Sequence, residues 1–597
     1  MNKRIINVIC ILLALITLSQ TRALYAPYVL FAIFALYCLM RESRAAEASE
    51  AGIDQASGHR RAIALISVVA AFFITIANYQ IWLHPILPDI RTPMFVRLVK
   101  ASYVLIIMAG SYCSVRNILT FTASSSYAFG KTSGQEPEDD SSKKSTLSCF
   151  WVPFTVISAI YLLIYCLSYY PGLLSLDSID QIDQLFTGVY SNHQPFYHTL
   201  LIGLFIRPIL AVSGNMNTAI AFYVTVQILV VAATFAFVVR TMADLDLPRP
   251  AMIVATVWYA IMPFHIMFSF TVWKDVYFGA FVTLLILFFI RLNRNIGNRK
   301  INIVGFSLCG PVICLIRSNG LFVYVFVFLA VLVLMRKNRK LWIIMGITII
   351  SSLVLKHPVL KASGVVPPDT VESLSIPLQQ ISRVIADGGN ISDEDMAFLD
   401  TFMDTGAVAD TYNPDISDPV KNMIRDKGFE DALTDNMGTF LAVYVRTFFK
   451  NPMTYVVAWV DSTCGYWNSG YNYWVWYWDI EANSHGITPV IISPAVRTAM
   501  DQYLWLYYNN PVLQITLATG MFSWIVLILF ARCIFTKNTT GIVAIVPILA
   551  IILSLVISAP VYAEFRYMYA LFCSLPALFA LTTAHRDEGV KKAEEES

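Results

Sequence analysis

Long apolar runs alternate with short charged intervals along this chain, a pattern that predicts membrane-crossing helices. Runs of spanning length lie near residues 5–20, 24–40, 62–79, 98–115 and 149–168. Others follow near 218–240, 251–270, 276–291, 301–316, 321–335 and 341–355, and a last group near 511–531, 541–558 and 562–583. These runs predict about fourteen spans. The apolar piece 196–212 stands apart, because Pro195, Arg207 and Pro208 interrupt or border it. A full crossing there would place Arg291, Arg294, Arg299, Lys300 and the 336–340 cluster outside, against the positive-inside bias. We read it as a re-entrant or half-spanning segment. The basic loops at Arg41, Arg44, Arg60 and Arg61 and at Arg116, Lys131, Lys143 and Lys144 then face the cytoplasm, as do both termini.

One interval between apolar runs is unlike the rest. Tyr169 to Leu201 reads YYPGLLSLDSIDQIDQLFTGVYSNHQPFYHTLL, with three aspartates, two histidines and a Pro-Gly break. From Leu176 to Phe186, Ile179, Ile182, Leu185 and Phe186 share one helical face, and Asp177, Asp180, Gln181 and Gln184 share the other. The periodicity predicts a short helix on the membrane surface, apolar side down and carboxylates up.

Composition supports this reading. The 597 residues are 57% hydrophobic and 14% charged, with mean hydropathy +0.61. Soluble domains carry roughly 25% charged residues. The fold class is therefore an all-α polytopic membrane protein, with the lipid bilayer as its medium. A net charge of +2 gives no basic surface for nucleic acid, so no nucleic-acid partner is expected. Cys10, Cys38, Cys166, Cys309, Cys314 and Cys573 fall in apolar runs, and no CxxC pair supports a zinc site. The N-terminus is either a signal peptide, with Lys3 and Arg4 before an apolar core, or a retained first span.

The chain divides into a four-span extension (1–121), a Ser-, Gly- and acid-rich cytoplasmic linker (122–148) and a core transmembrane region (149–355) with an outer loop at 169–198. A mostly helical extracytoplasmic domain (356–510), a closing transmembrane region (511–584) and a cytoplasmic tail (585–597) complete it. In the extracytoplasmic domain, helix is expected over Pro377–Ile385 and from a capping box at Ser392 and Asp395. Turns are expected at Asn413-Pro414 and Asp418-Pro419. No internal repeat, heptad array or nucleotide-binding glycine loop is present.

With this topology, Lys274-Asp275, Arg317 with Asn319, and Glu564 with Arg566 all reach the outer boundary, on the side of Asp177. Carboxylates and cations on one face describe a pocket, although cations at helix ends also snorkel without further role. Asp177 has two readings. It caps the surface helix, with Asp180 favoured by the helix dipole, or it serves as a general base whose pKa desolvation raises. His193 and His198 suit metal, phosphate or a plain interfacial hydrogen bond. Lys274, Arg317 and Arg566 suit a phosphate. The rings from Tyr455 to Trp478 suit either sugar stacking or an interfacial aromatic belt.

PGLLSLDSIDQ followed by TGVYSNHQPFYHTLL resembles the first outer loop of C-type (GT-C) membrane glycosyltransferases, and EFRYMYALFCSLP resembles their closing segment. The similarity runs from about Trp151 to Ala584 and is greatest to an uncharacterised bacterial branch, in which PLQQISRV also recurs. It implies transfer of a sugar from a polyprenyl-phosphate carrier to an extracytoplasmic acceptor hydroxyl at the plasma membrane. Asp177 would be the base, with Asp180 as second choice. His193 and Pro195 correspond to an HPP-like motif, and Lys274-Asp275 to a second acidic loop. The resemblance also implies inversion at the anomeric carbon and no nucleotide-sugar donor. Gln194 stands where the superfamily often has His or Pro, and the first site lacks a paired Asp-Glu. The acceptor and any divalent cation therefore stay open, and no cofactor is assigned. Two other classes remain: a lipid-linked oligosaccharide polymerase or ligase, which would lean on Arg317, Arg566 and His193, and a transporter or flippase.

Overall fold

A computed structural model describes residues 60–77, 94–124, 141–426, 428–468 and 473–583. Among them the chain is helical, with β structure limited to isolated bridges. The runs 5–20 and 24–40, the signal-peptide question, most of the 122–148 linker and the 585–597 tail lie outside the described residues. The linker's last residues are helical, not coil. Helix propagates back from the span to Ser141, because SSKKSTLS holds no glycine or proline to stop it.

The helices that matter run in chain order as α1 (Arg60–Ala77), α2 (Met94–Ser124), α3 (Ser141–Ser168), α4 (Leu176–Thr187), α5 (Phe196–Ser213), α6 (Met216–Asp244) and α7 (Arg249–Ile261). Then come α8 (Pro263–Ser269), α9 (Lys274–Asn293), α10 (Arg299–Ile316), α11 (Gly320–Leu334) and α12 (Arg339–Val354). The polar domain contributes α13 (Ser375–Ala386), α14 (Asp393–Leu399), α15 (Asp418–Asp426), α16 (Met437–Lys450) and α17 (Pro452–Thr463). The last are α18 (Pro494–Asn509), α19 (Thr519–Phe535), α20 (Thr539–Ser558) and α21 (Tyr569–Thr583).

Among the described residues, eight helices are long and apolar enough to cross a membrane, or nine if α7 and α8 count together. Those two meet at 56° where a single span was expected over 251–270. Met262 precedes Pro263, whose ring excludes helical geometry from the residue before it. The runs 62–79, 321–335 and 511–531 yield shorter apolar helices. The last begins late because Asn510 caps a separate turn, Pro511–Gln514.

The expected re-entrant piece is one unbroken helix, α5, with Pro208 tolerated inside it. It qualifies as a span by length and apolarity. The segments that flank the excursion, the close of α3 and the start of α6, nevertheless meet at the same end of the bundle. Tyr165 near the close of α3 donates to the Ala221 carbonyl near the start of α6 (3.4 Å), and Asn217 exchanges hydrogen bonds with the Thr488 backbone. Val490 bonds in turn to Tyr170. The chain from 169 to 215 therefore leaves and re-enters the bundle at one end, which we call the upper end.

Bridges between Leu173 and Thr271 and between Leu174 and Ile480 bind the upper end together. At the lower end, Arg291 and Arg240 close on Asp244, and Arg532 donates to carbonyls of Thr122 and Thr582. The polar domain has its own apolar core, including Leu378, Ile381, Phe402, Phe440 and Tyr455. Ser392 caps α14 as expected, accepting from the Asp395 amide. Asp418-Pro419 opens α15 where a turn was expected, since proline suits a first helical turn. Backbone hydrogen bonds Ser417–Pro560 (2.8 Å) and Tyr562–Asp415 (2.9 Å) fasten this domain to the loop before α21.

Candidate functional site

The upper-end site is organised by α4. Ser175 is extended at its N-terminus, and its hydroxyl accepts from the Trp273 indole (2.8 Å) instead of capping. Asp177 therefore lies within the first turn, where the helix dipole favours an acid, and does not cap. Ile179, Ile182 and Leu185 are buried as their spacing predicts. Two residues depart from the pattern. Gln181 is buried because its amide bonds Thr199 (3.0 Å) and His198 Nδ1 (2.9 Å). Phe186 is exposed and lies 5.0 Å from the His485 ring.

Two later elements bring cations to Asp177, and a third brings one to the neighbouring Asp275. α9 opens at Lys274, whose Nζ stands 3.6 Å from Asp177 Oδ2 and also donates to Gln194 Oε1. The turn before α21 presents Arg566, whose Nη1 donates to Asp177 Oδ2 at 2.8 Å. Its guanidinium lies over the Trp273 and Tyr567 rings, at 5.4 and 5.3 Å. α10 ends in Arg317, whose Nη1 is 3.1 Å from Asp275 Oδ1 and donates to the Tyr567 carbonyl (3.2 Å). Gly320 makes that ending possible, because a Cβ there would sit 1.9 Å from the Ile313 carbonyl oxygen. Lys356 reaches the same turn and donates to the Arg317 and Ser318 carbonyls.

The carboxylates are incompletely matched. Asp275 is buried, and neither of its oxygens accepts a well-aligned hydrogen bond, although Arg317 is at ion-pair distance. Glu564 is buried 3.4 Å from Arg566 Nε with Oε1 lacking an aligned protein donor. Burial pushes the Glu564 carboxyl up to about 7, with Asp275 and Asp177 adding to the rise and Arg566 opposing it. Burial alone would also raise Asp177. There Lys274 and Arg566, helped by His193, prevail and hold the carboxyl well below the usual range. The expectation of a base with a pKa raised by desolvation is thus reversed, because two cations lie closer than sequence could reveal. Asp180 moves the other way, raised by burial and then by Asp177 and Asp183.

Asp177, Lys274, Asp275, Arg317, Glu564 and Arg566 therefore form one connected cluster. Asp180 and His193 are exposed at its rim. Pro195 is buried and opens α5. His198 lies beneath α4, locked between Gln181 and Tyr223, and braces the two helices. PLQQISRV belongs to the scaffold of the polar domain: Gln379 donates to the Asn413 carbonyl, Gln380 to that of Tyr455, and Arg383 pairs with Asp461. Of the aromatic segment, Trp474 and Tyr477 stand 6.0 and 6.2 Å from Trp273; Tyr471 lies outside the described residues.

Trp273, Tyr567 and Lys356 carried no expectation from the sequence, and Gln194 stood out only as a departure from the HPP-like motif, not as a partner of Lys274. Gln194, Trp273 and Tyr567 adjoin or interrupt singled-out motifs (TVWKD, EFRY, NHQP), the only signal available. Among the described residues, no three His, Cys, Asp or Glu side chains gather as a metal site. The cluster's carboxylates already face cations, which suits an anion exchanging for a carboxylate better than a metal ion.

No curated protein and no solved structure matches the chain. A family model does match, over residues 186–596, so it takes in Lys274, Asp275, Arg317, Glu564 and Arg566 and begins after Asp177 and Asp180. The chain belongs to this family, a family of unknown function designated DUF6020.

Proposed function

We propose that this membrane protein transfers a sugar from a polyprenyl-phosphate carrier to an acceptor hydroxyl at its upper end, facing away from the cytoplasm at the plasma membrane. The observation that carries the reading is the junction of Asp177 with Lys274 and Arg566 at the end of a transmembrane bundle. The donor phosphate would compete with Asp177 for those two cations, which are suited to bind phosphate oxygens by charge-assisted hydrogen bonds. Phosphate binding would release the carboxylate, whose pKa then rises because burial is no longer opposed. Freed in this way, Asp177 takes the acceptor's hydroxyl proton. The acceptor oxygen bonds to the anomeric carbon as the bond to the phosphate oxygen breaks, and the electron pair leaves with polyprenyl phosphate. Attack opposite the leaving group inverts the configuration.

A polymerase or ligase is the second reading, favoured by the low basicity of Asp177 in the cluster. Transfer from a polyprenyl-phosphate hexose by purified protein separates them. Under the first reading Asp177→Asn loses about 10²–10⁴-fold in rate, the usual contribution of a positioned base. Full transfer by that variant would refute the role assigned to Asp177.

A further inference from the structure

α16 has two apolar faces. Phe440 and Val443 are buried in the polar domain's core, with Thr447 buried beside them. On the other side Leu441, Val445, Phe448 and Phe449 are exposed, Phe449 by 75%, and Met453 extends the stripe past the Asn451-Pro452 break. Positions 441, 445, 448 and 449 lie within one helical face. Water is a poor partner for such a stripe.

The stripe continues into membrane-associated surface. One turn beyond Met453, Val456 and Val457 pack against the bundle's main core. Trp459 then donates its indole N–H to the Val556 carbonyl in the last turn of α20 (2.9 Å), stacks on Trp467 (5.6 Å) and meets Phe73 of α1 (6.5 Å). The exposed apolar surface of α1, including Phe72, Val69 and Leu65, continues from that point. Six residues separate Met453 from Trp459, or about 9 Å along α17 at 1.5 Å per residue. Whatever the tilt of α17, Met453, where the stripe ends, therefore lies within about 10 Å of the Trp459 contact with the upper end of α20, a distance comparable to the depth at which interfacial helices sit. Lys450 borders it and suits a lipid phosphate, while Arg446 beside it is paired with Asp395 of α14.

We propose that α16 lies in the headgroup region of the bilayer with this face turned into lipid. The polar domain is then held at the membrane surface by a monotopic helix as well as by its chain connections. Because Ser417 and Asp415 are bonded to the loop that leads to Glu564 and Arg566, this contact fixes the height of the domain over the cluster.

The test places the photo-crosslinker p-benzoylphenylalanine at Phe449, and separately at Met453 in case one variant fails to fold, in full-length protein reconstituted in phosphatidylglycerol–phosphatidylethanolamine nanodiscs. Ile557 at the end of α20 serves as the lipid-facing reference. The proposal expects a lipid mass added at 449 or 453 in yield of the same order as at 557. Leu441→Ser with Val445→Ser should lower the yield at 453 severalfold. Adducts only to a second copy or to residues 1–59, or no adduct at 449 and 453 while 557 reacts, would overturn it.

Discussion

The two ends of the bundle both bury ion pairs, and they differ in how completely each carboxylate is matched. At the lower end Asp244 accepts from Arg240 Nε through both oxygens (3.2 Å each) and from Arg291 Nη1 at 2.5 Å. At the upper end Asp275 and Glu564 retain oxygens without an aligned protein donor, and Asp177 divides one oxygen between Lys274 and Arg566. A carboxylate that accepts aligned hydrogen bonds through both oxygens is a clamp. A cluster in which acids and cations outnumber their good hydrogen bonds can exchange an internal partner for a ligand at small cost.

The sharpest break in this comparison is the removal of one guanidinium from each end. Arg291→Ala leaves the largely shielded Asp244 with a single partner and should destabilise the protein by about 2–4 kcal/mol, read by thermal unfolding, with transfer per folded molecule intact. Arg566→Gln should cost less stability, because Asp177 keeps Lys274 within 3.6 Å, and should abolish phosphate binding. Equal losses of stability at the two ends would erase the distinction.

Next in size is Glu564. A glutamate normally loses its proton near 4.5, and Glu564 holds its own up to about 7. Between those values the folded chain retains a proton that the unfolded chain has released, so stability falls as pH rises through this window and stays lower above it. Glu564→Gln should flatten that fall, gaining on the order of 2–3 kcal/mol at most near pH 8 and almost nothing near pH 4. A variant with an unchanged pH profile would mean that Glu564 is satisfied in solution. A smaller effect is expected for Gly320→Ala. The added Cβ must push the α10–α11 turn away from Ile313, at a cost of about 1–3 kcal/mol. It should also weaken phosphate binding by moving Arg317, and unchanged binding would detach that turn from the site.

How much of this was legible in the sequence varied with the range of the contacts. Local periodicity gave the buried face of α4, the cap at Ser392 and most apolar helices, because each depends on residues within two turns. The convergence of residues 177, 274, 317, 564 and 566 was also legible, since basic loops fix which helix ends share a face. The basicity of Asp177 was not: its sign depends on a 2.8 Å contact across 389 residues of chain. The inward turn of Gln181 was equally hidden, because the partners that satisfy its amide, His198 and Thr199, lie on another helix. The form of α5 was missed because its prolines suggested a reversal, whereas Pro195 opens the helix and Pro208 fits inside it.

If Asp177 and a donor phosphate compete for Lys274 and Arg566, as proposed, the affinity of nanodisc-embedded protein for polyprenyl phosphate shows it most directly. Asp177→Asn should bind the lipid phosphate more tightly than the unaltered protein, because the cations no longer have a rival carboxylate. Equal or weaker binding by Asp177→Asn would contradict the claim.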